Sequence, residues 1–229
     1  MSQKFTILFD LDGTLVNTAP DLMHAHNHVM KKYGYGERKL SDIRKLAGRG
    51  SKVMLTRSIH ELAELSGKIK KSDDVIEKMT KEFIDFYSKN IVAESTLKKG
   101  VLNFLSWCKK NSILMGVCTN KQEHLSIDLL KKIKIYDFFD YVAGGNTFDY
   151  NKPDPRHLTS TIEIMGGNHK KSLMIGDSET DSNSAKSAEI PFILIEDGYT
   201  EKKVSEIHHN HLIKDFTDLE KIITKYIND

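Results

Sequence analysis

Residues 5–15 read Phe5-Thr6-Ile7-Leu8-Phe9-Asp10-Leu11-Asp12-Gly13-Thr14-Leu15. A short apolar run without clean alternation stops at two acids and a glycine. That pattern suits a strand buried on both faces, as in a parallel sheet, ending in a polar turn. Comparable runs follow at residues 113–118, 141–143, 173–175 and 192–195, with 211–213 a weaker sixth. Between them apolar residues recur at helical spacing: Val101, Phe104, Leu105 and Cys108; Leu125, Leu129 and Ile133; Leu158, Ile162 and Met165. The tail carries the cleanest stripe, at Leu219, Ile222, Ile223, Tyr226 and Ile227. Strand alternating with helix predicts an α/β fold, a doubly wound parallel sheet with right-handed crossovers.

One stretch breaks the rhythm. Residues 16–95 show helical stripes and no convincing strand. Thr18-Ala19-Pro20-Asp21 looks like a helix start, with a Thr cap and an early proline. Leu22, Ala25, Val29, Met30 and Tyr33 then share a face. Leu55, Ile59, Leu62 and Ala63 form a second stripe, and Val75, Ile76, Met79, Phe83, Phe86 and Tyr87 a third. The simplest organisation is an α/β core of residues 1–15 and 96–229, with 16–95 as an inserted all-helical cap domain.

Composition narrows the function. The 229 residues carry 34 basic against 32 acidic side chains, which excludes a polyanion binder driven by bulk charge. No nucleic-acid partner is therefore expected. Cys108 and Cys118 sit in apolar runs and read as buried thiols, too few for a disulfide framework or a thiolate zinc site. The start lacks a signal-peptide pattern and no apolar segment is long enough to span a membrane, so a cytoplasmic protein without a membrane partner is expected.

In an open parallel sheet, ligands bind beyond the carboxyl ends of the strands. Asp10 and Asp12 follow the first strand, Thr119-Asn120 the second, Lys152-Pro153 the third, and Gly176-Asp177-Ser178-Glu179-Thr180-Asp181 the fourth. Asp10-Leu11-Asp12 alone is also what a strand-end turn looks like; four polar clusters converging on one edge argue against that plainer reading. Carboxylates gathered around a single lysine call for a cation, and an oxygen-only donor set suits magnesium.

These motifs, in this order, resemble the haloacid dehalogenase-like hydrolase superfamily, and the helical insertion after the first resembles its helical-capped branch. The resemblance spans most of the chain and implies a Rossmann-like core. It further implies that Asp10 attacks phosphorus and that Asp12 serves as acid and then base. Thr119, the amide of Asn120 and Lys152 would bind the phosphoryl group. Asp10, the carbonyl of Asp12 and Asp177 would hold Mg2+, with Asp181 behind them. Dehalogenases of the superfamily lack the acid at the Asp12 position, because halide leaves without a proton, so its presence favours phosphate chemistry. Leu15-Val16-Asn17-Thr18-Ala19-Pro20-Asp21-Leu22, Lys152-Pro153-Asp154-Pro155 and Ile195-Glu196-Asp197-Gly198-Tyr199 look like phosphoglycolate phosphatases, which usually carry Asp where this chain has Asn17.

The resemblance thus implies a phosphatase of a small phosphorylated metabolite, foremost 2-phosphoglycolate, acting as a monomer or homodimer. Within the cap, Gly48-Arg49-Gly50-Ser51-Lys52 could present Arg49 or Lys52 to a substrate carboxylate, or could simply be a glycine-bounded helix start. A phosphosugar mutase of the β-phosphoglucomutase type or a pyrophosphatase could use the same site. A receiver-type phospho-acceptor also uses Asp, Thr, Lys and magnesium, but orders them differently and lacks a cap. His24 with His28, and His208, His209 and His211, read as solvated histidines rather than a transition-metal site. Trp107 reads as core, while Lys31-Lys32, Lys70-Lys71 and Lys170-Lys171 read as solvated faces.

Overall fold

The computed structural model describes residues 4–66 and 72–228, so the Lys70-Lys71 pair lies outside the described residues. In chain order the elements are β1 (Thr6–Phe9), β2 (Val16–Asn17), α1 (Ala19–Lys32), α2 (Leu40–Leu46), α3 (Ser51–Ser66), α4 (Asp73–Lys89), β3 (Thr96–Leu97), α5 (Val101–Lys110) and β4 (Leu114–Cys118). Then follow α6 (Glu123–Lys132), β5 (Tyr141–Ala143), α7 (Arg156–Ile164), β6 (Ser172–Gly176), α8 (Glu179–Ser187), β7 (Phe192–Ile195), β8 (His211–Ile213) and α9 (Leu219–Asn228).

Six strands form one parallel sheet in the order β5-β4-β1-β6-β7-β8. Each expected strand is present. β1 lies at the centre with every side chain buried, which is why its sequence shows no alternation. Phe9 packs edge-on against Phe104 and Phe139 and stacks on Phe216, tying β1 to α5 and the chain before α9. Trp107 in turn stacks on Phe104. The chain winds from β1 to β4 on one side and reaches β6 on the other, so the strand order reverses beside β1. That reversal opens a crevice at the carboxyl ends of β1, β4 and β6.

Three details depart from the sequence reading. β2 and β3 pair antiparallel as a two-residue ribbon, Val16 with Leu97 and Asn17 with Thr96, where only helix had been expected from residue 16 onward. Thr18 precedes α1 as expected, but its side chain caps nothing there; its hydroxyl donates instead to Asp12 at 2.6 Å. In α9 the predicted stripe buries Leu219 and Ile223, while Ile227 at its end is exposed.

The four helices α1–α4 pack on one another between the two strands of the ribbon. His26 of α1 is fully buried, with Nε2 2.9 Å from Ser58 of α3 and Nδ1 3.0 Å from Asn27. Burial holds its pKa down from 6.5 to about 4, with Arg38 adding to the effect and the Asn27 bond opposing it. The folded state therefore keeps this imidazole neutral at pH values where the unfolded chain takes up a proton. Its contribution is complete above 6.5 and is lost as pH falls toward 4. A loss of roughly 3 kcal/mol across that window is expected from urea midpoints, and His26→Gln should flatten the slope even though it lowers stability at pH 7.

Candidate active site

β1 delivers Asp10 to the crevice while the sheet ladder is still running: its amide donates to Ile175 at 2.9 Å. Gly13 then turns the chain at a φ of 87°, where a Cβ would collide with the Asp177 carboxylate and the Tyr199 ring. Only glycine fits that approach. From the end of β6, Asp177 accepts from the Thr14 hydroxyl at 2.9 Å and from the Tyr199 amide at 2.5 Å. The Tyr199 hydroxyl reaches back, accepting from the Ala19 amide at 2.7 Å and donating to Asn17 at 3.0 Å. Asn17 thus anchors the passage from β1 to α1.

Lys152 stands between two of the acids, with Nζ 2.7 Å from Asp10 and 2.5 Å from Asp181. The other oxygen of Asp181 closes a capping box at the start of α8, accepting from the amides of Asp177 and Ser178 and the Ser178 hydroxyl at 2.7 Å. Asp10, Asp177 and Asp181 are all buried, and one oxygen from each lies within 4.8 Å of the others. Burial lifts the Asp10 carboxyl from 3.8 to about 7; Lys152 pulls it down, while Asp181 and Asp12 push it up. Burial, followed by Asp10 and Asp181, drives Asp177 well above the carboxylate range. Burial works against the charge on Lys152, but the two acids beside it hold its pKa above the ordinary lysine value.

One ammonium therefore pairs with two of three clustered acids, leaving a deficit of positive charge in a buried pocket. Hard oxygen donors with that deficit fit a magnesium ion. Both oxygens of Asp181 are already engaged, one by Lys152 and one by the cap of α8. Asp177 likewise accepts on both oxygens, from the Thr14 hydroxyl and the Tyr199 amide, but neither donor carries a charge. Asp10 keeps one oxygen that accepts no hydrogen bond among the described residues, and these two carboxylates have most to offer a cation.

Thr119, 2% exposed, closes β4, and its hydroxyl accepts from the Lys121 amide at 3.2 Å. The Asn120 side chain donates to the carbonyls of Gly48 and Lys152 at 3.1 and 3.0 Å, joining the loop before α3 to the core. Asp10, Asp12, Thr119 and Asn120 line one cavity, walled on its far side by Leu22, Met54, Phe83 and Tyr87 from the helical block.

Of the two expected cap cations, Arg49 lines a second cavity together with Asn120 and Lys152, and both cations carry acidic partners. Arg49 pairs with Glu179 at 3.0 Å and Lys52 with Glu77 at 3.2 Å, each on an exposed surface. Arg57 also pairs with Glu201, so α3 and the loop before it are tied by charge to the core beneath. Sequence reasoning passed over Lys121, whose Nζ lies 2.8 Å from both oxygens of Asp12 and 4.6 Å from the centre of the Tyr87 ring. Its place directly after Thr119-Asn120 was the available signal.

The histidine groups do not gather. His24 pairs with Glu94, His28 stacks on Phe86, His209 bonds the Ile207 carbonyl and His211 meets the Tyr226 ring. Among the described residues, the acid trio is the one cluster arranged to hold a metal. Both cysteines are free and buried. No helix among the described residues is long and apolar enough to cross a membrane.

Residues 7–195 match the haloacid dehalogenase-like hydrolase family. The chain is 37% identical over 213 residues to a phosphoglycolate phosphatase of Mesorhizobium japonicum, covering 93% of this chain and 92% of that one. A crystal structure from Haemophilus somnus, described as a predicted phosphoglycolate phosphatase, superposes with a TM-score of 0.91 at 27% identity, covering 97% and 99% of the two chains. A β-phosphoglucomutase from Clostridium difficile shares the fold at a TM-score of 0.78 and 21% identity, covering 98% of each chain.

Proposed function

The chain belongs to the haloacid dehalogenase-like hydrolase family and is a phosphoric monoester hydrolase, and on that premise we propose that its substrate is 2-phosphoglycolate. The observation that carries this reading is one cavity in which Asp10, Asp12 and Thr119 meet. Similarity to phosphoglycolate phosphatases along nearly the whole chain supports the choice of substrate.

In the proposed reaction Asp10 is the nucleophile. Lys152 engages one of its oxygens, and the other attacks phosphorus, forming an aspartyl-phosphate as the bond to the ester oxygen breaks. Asp12 donates a proton to the departing alkoxide, then takes one from the water that hydrolyses the aspartyl-phosphate. The Thr119 hydroxyl, the Asn120 amide and Lys152 stabilise the phosphoryl oxygens. Asp10, the main-chain carbonyl of Asp12 and Asp177 would hold Mg2+, with Asp181 positioning Lys152. When bound, the ion supplies positive charge against the phosphoryl oxygens. Residues 16–95 act as a cap over a core of 1–15 and 96–229, excluding water and shaping the cavity.

Phosphate release measured over 2-phosphoglycolate, pyrophosphate and hexose phosphates tests the reading. The highest kcat/KM is expected for 2-phosphoglycolate, and chelation of divalent ions should lower it by at least about 100-fold. An isomerised sugar phosphate formed without free phosphate would assign the site to a mutase instead.

A further inference from the structure

A cavity that takes 2-phosphoglycolate must recognise a carboxylate as well as a phosphate. The cap cations expected to do so are engaged by Glu179 and Glu77. Lys121 is the one cation among the described residues lining the cavity. We propose that Lys121, with the Tyr87 hydroxyl, forms the site that reads the substrate's carboxylate, so that the enzyme selects phosphomonoesters carrying an acid group one carbon from the ester oxygen. The proposal rests on the hydrolase reading above and names the residues that give it specificity.

Three observations carry it. First, beyond its contact with Asp12, Lys121 shares the cavity with the apolar side chains of Leu22, Met54, Phe83 and Leu125. An anion entering there loses its water and needs a charge-assisted partner. Second, Lys121 has a donor to spare. An ammonium has three N–H groups, and its contacts to side-chain oxygens are the two to Asp12. The side chain is 6% exposed and lines the cavity, with Nζ 4.6 Å from the centre of the Tyr87 ring, so an anion bound there meets the ammonium out of bulk water. Third, Tyr87 lines the same cavity and is 1% exposed, yet its hydroxyl has no hydrogen-bond partner. A buried donor left unused is costly, and a bound carboxylate would employ it.

The reach also matches. Lys121 lies one hydrogen bond from Asp12, the residue assigned to the leaving oxygen. A carboxylate joined to that oxygen through a single methylene stays within a few bonds of Asp12 and so of the ammonium that Asp12 holds.

The test compares 2-phosphoglycolate with 2-hydroxyethyl phosphate, which replaces the carboxylate by a neutral alcohol. The wild-type enzyme should prefer the acid by about 100-fold or more in kcat/KM. In Lys121→Met that preference should collapse by roughly 10- to 100-fold, chiefly through KM, and Lys121→Arg should restore part of it. Tyr87→Phe should reduce the preference a few-fold with Lys121 in place. A Lys121→Met enzyme that loses kcat equally on both esters and keeps the preference would make Lys121 a brace for Asp12 alone and overturn the proposal. Should Lys121→Met fail to fold, an undiminished preference in both Lys121→Arg and Tyr87→Phe would overturn it equally. A wild-type enzyme that hydrolyses both esters alike would refute the carboxylate site while leaving the phosphatase reading intact. Release of phosphate from neither ester would refute that underlying reading.

Discussion

Asp10→Asn should reduce phosphate release by about 10^4-fold or more while leaving the protein folded and no less stable. Asparagine matches aspartate in size but is far too weak a nucleophile to form the acyl phosphate, so the proposed reaction has no first step. The stability half follows from electrostatics. Burial raises the Asp10 carboxyl to about 7, so the folded state disfavours its charge. A carboxylate raised in this way leaves the protein most stable below its ordinary 3.8, and that advantage is lost as pH rises toward 7. A neutral amide removes the cost, and Lys152 keeps Asp181 at 2.5 Å. In metal-free protein at pH 8, the variant should therefore melt at or above the wild-type temperature. Activity within tenfold of wild type would eliminate Asp10 as nucleophile; a large fall in melting temperature would reject the account of its burial.

Much of this was legible in the sequence because the informative groups stand at strand ends. A strand buried on both faces must be apolar throughout, so Ile7-Leu8-Phe9 and Phe192-Ile193-Leu194-Ile195 declare themselves, and the polar residues after each strand declare the site edge. What stayed hidden depends on tertiary partners. A two-residue strand such as Val16-Asn17 has no periodicity to read, and it exists only because Thr96 and Leu97 return beside it. The Thr18 capping signal was correct about where α1 starts but not about the hydroxyl, which finds a carboxylate acceptor in Asp12. Arg49 lies in a glycine-bounded loop that suggested a ligand-facing cation, yet its partner Glu179 is 130 residues away in sequence. Lys121 escaped notice for the complementary reason. Its place after Thr119-Asn120 puts it at the site edge, but only the turn after β4 decides that its ammonium folds back onto Asp12.

Lys152→Met should separate charge from packing at the centre of the site. Methionine keeps an unbranched apolar chain in a position where the lysine side chain is 2% exposed, so little volume is lost. What disappears is the ammonium shared by Asp10 and Asp181, leaving those two acids and Asp177 without a buried positive neighbour. Breaking a buried pair in this way typically costs about 3–5 kcal/mol, and losing the charge that offsets the phosphoryl oxygens should lower kcat by about 100- to 1000-fold. The pH dependence identifies the cause. Without the ammonium that holds it down, the Asp10 carboxyl rises further above its unfolded value of 3.8, so its stability penalty grows as pH rises and fades as it protonates. The deficit of the variant, read from urea midpoints in chelator, should therefore shrink between pH 7 and pH 4. Added magnesium should also narrow it, because a cation that binds only the folded state stabilises that state by mass action. A deficit that ignored both pH and magnesium would mean that Lys152 merely fills space, and the electrostatic basis of the acid cluster would have to be abandoned.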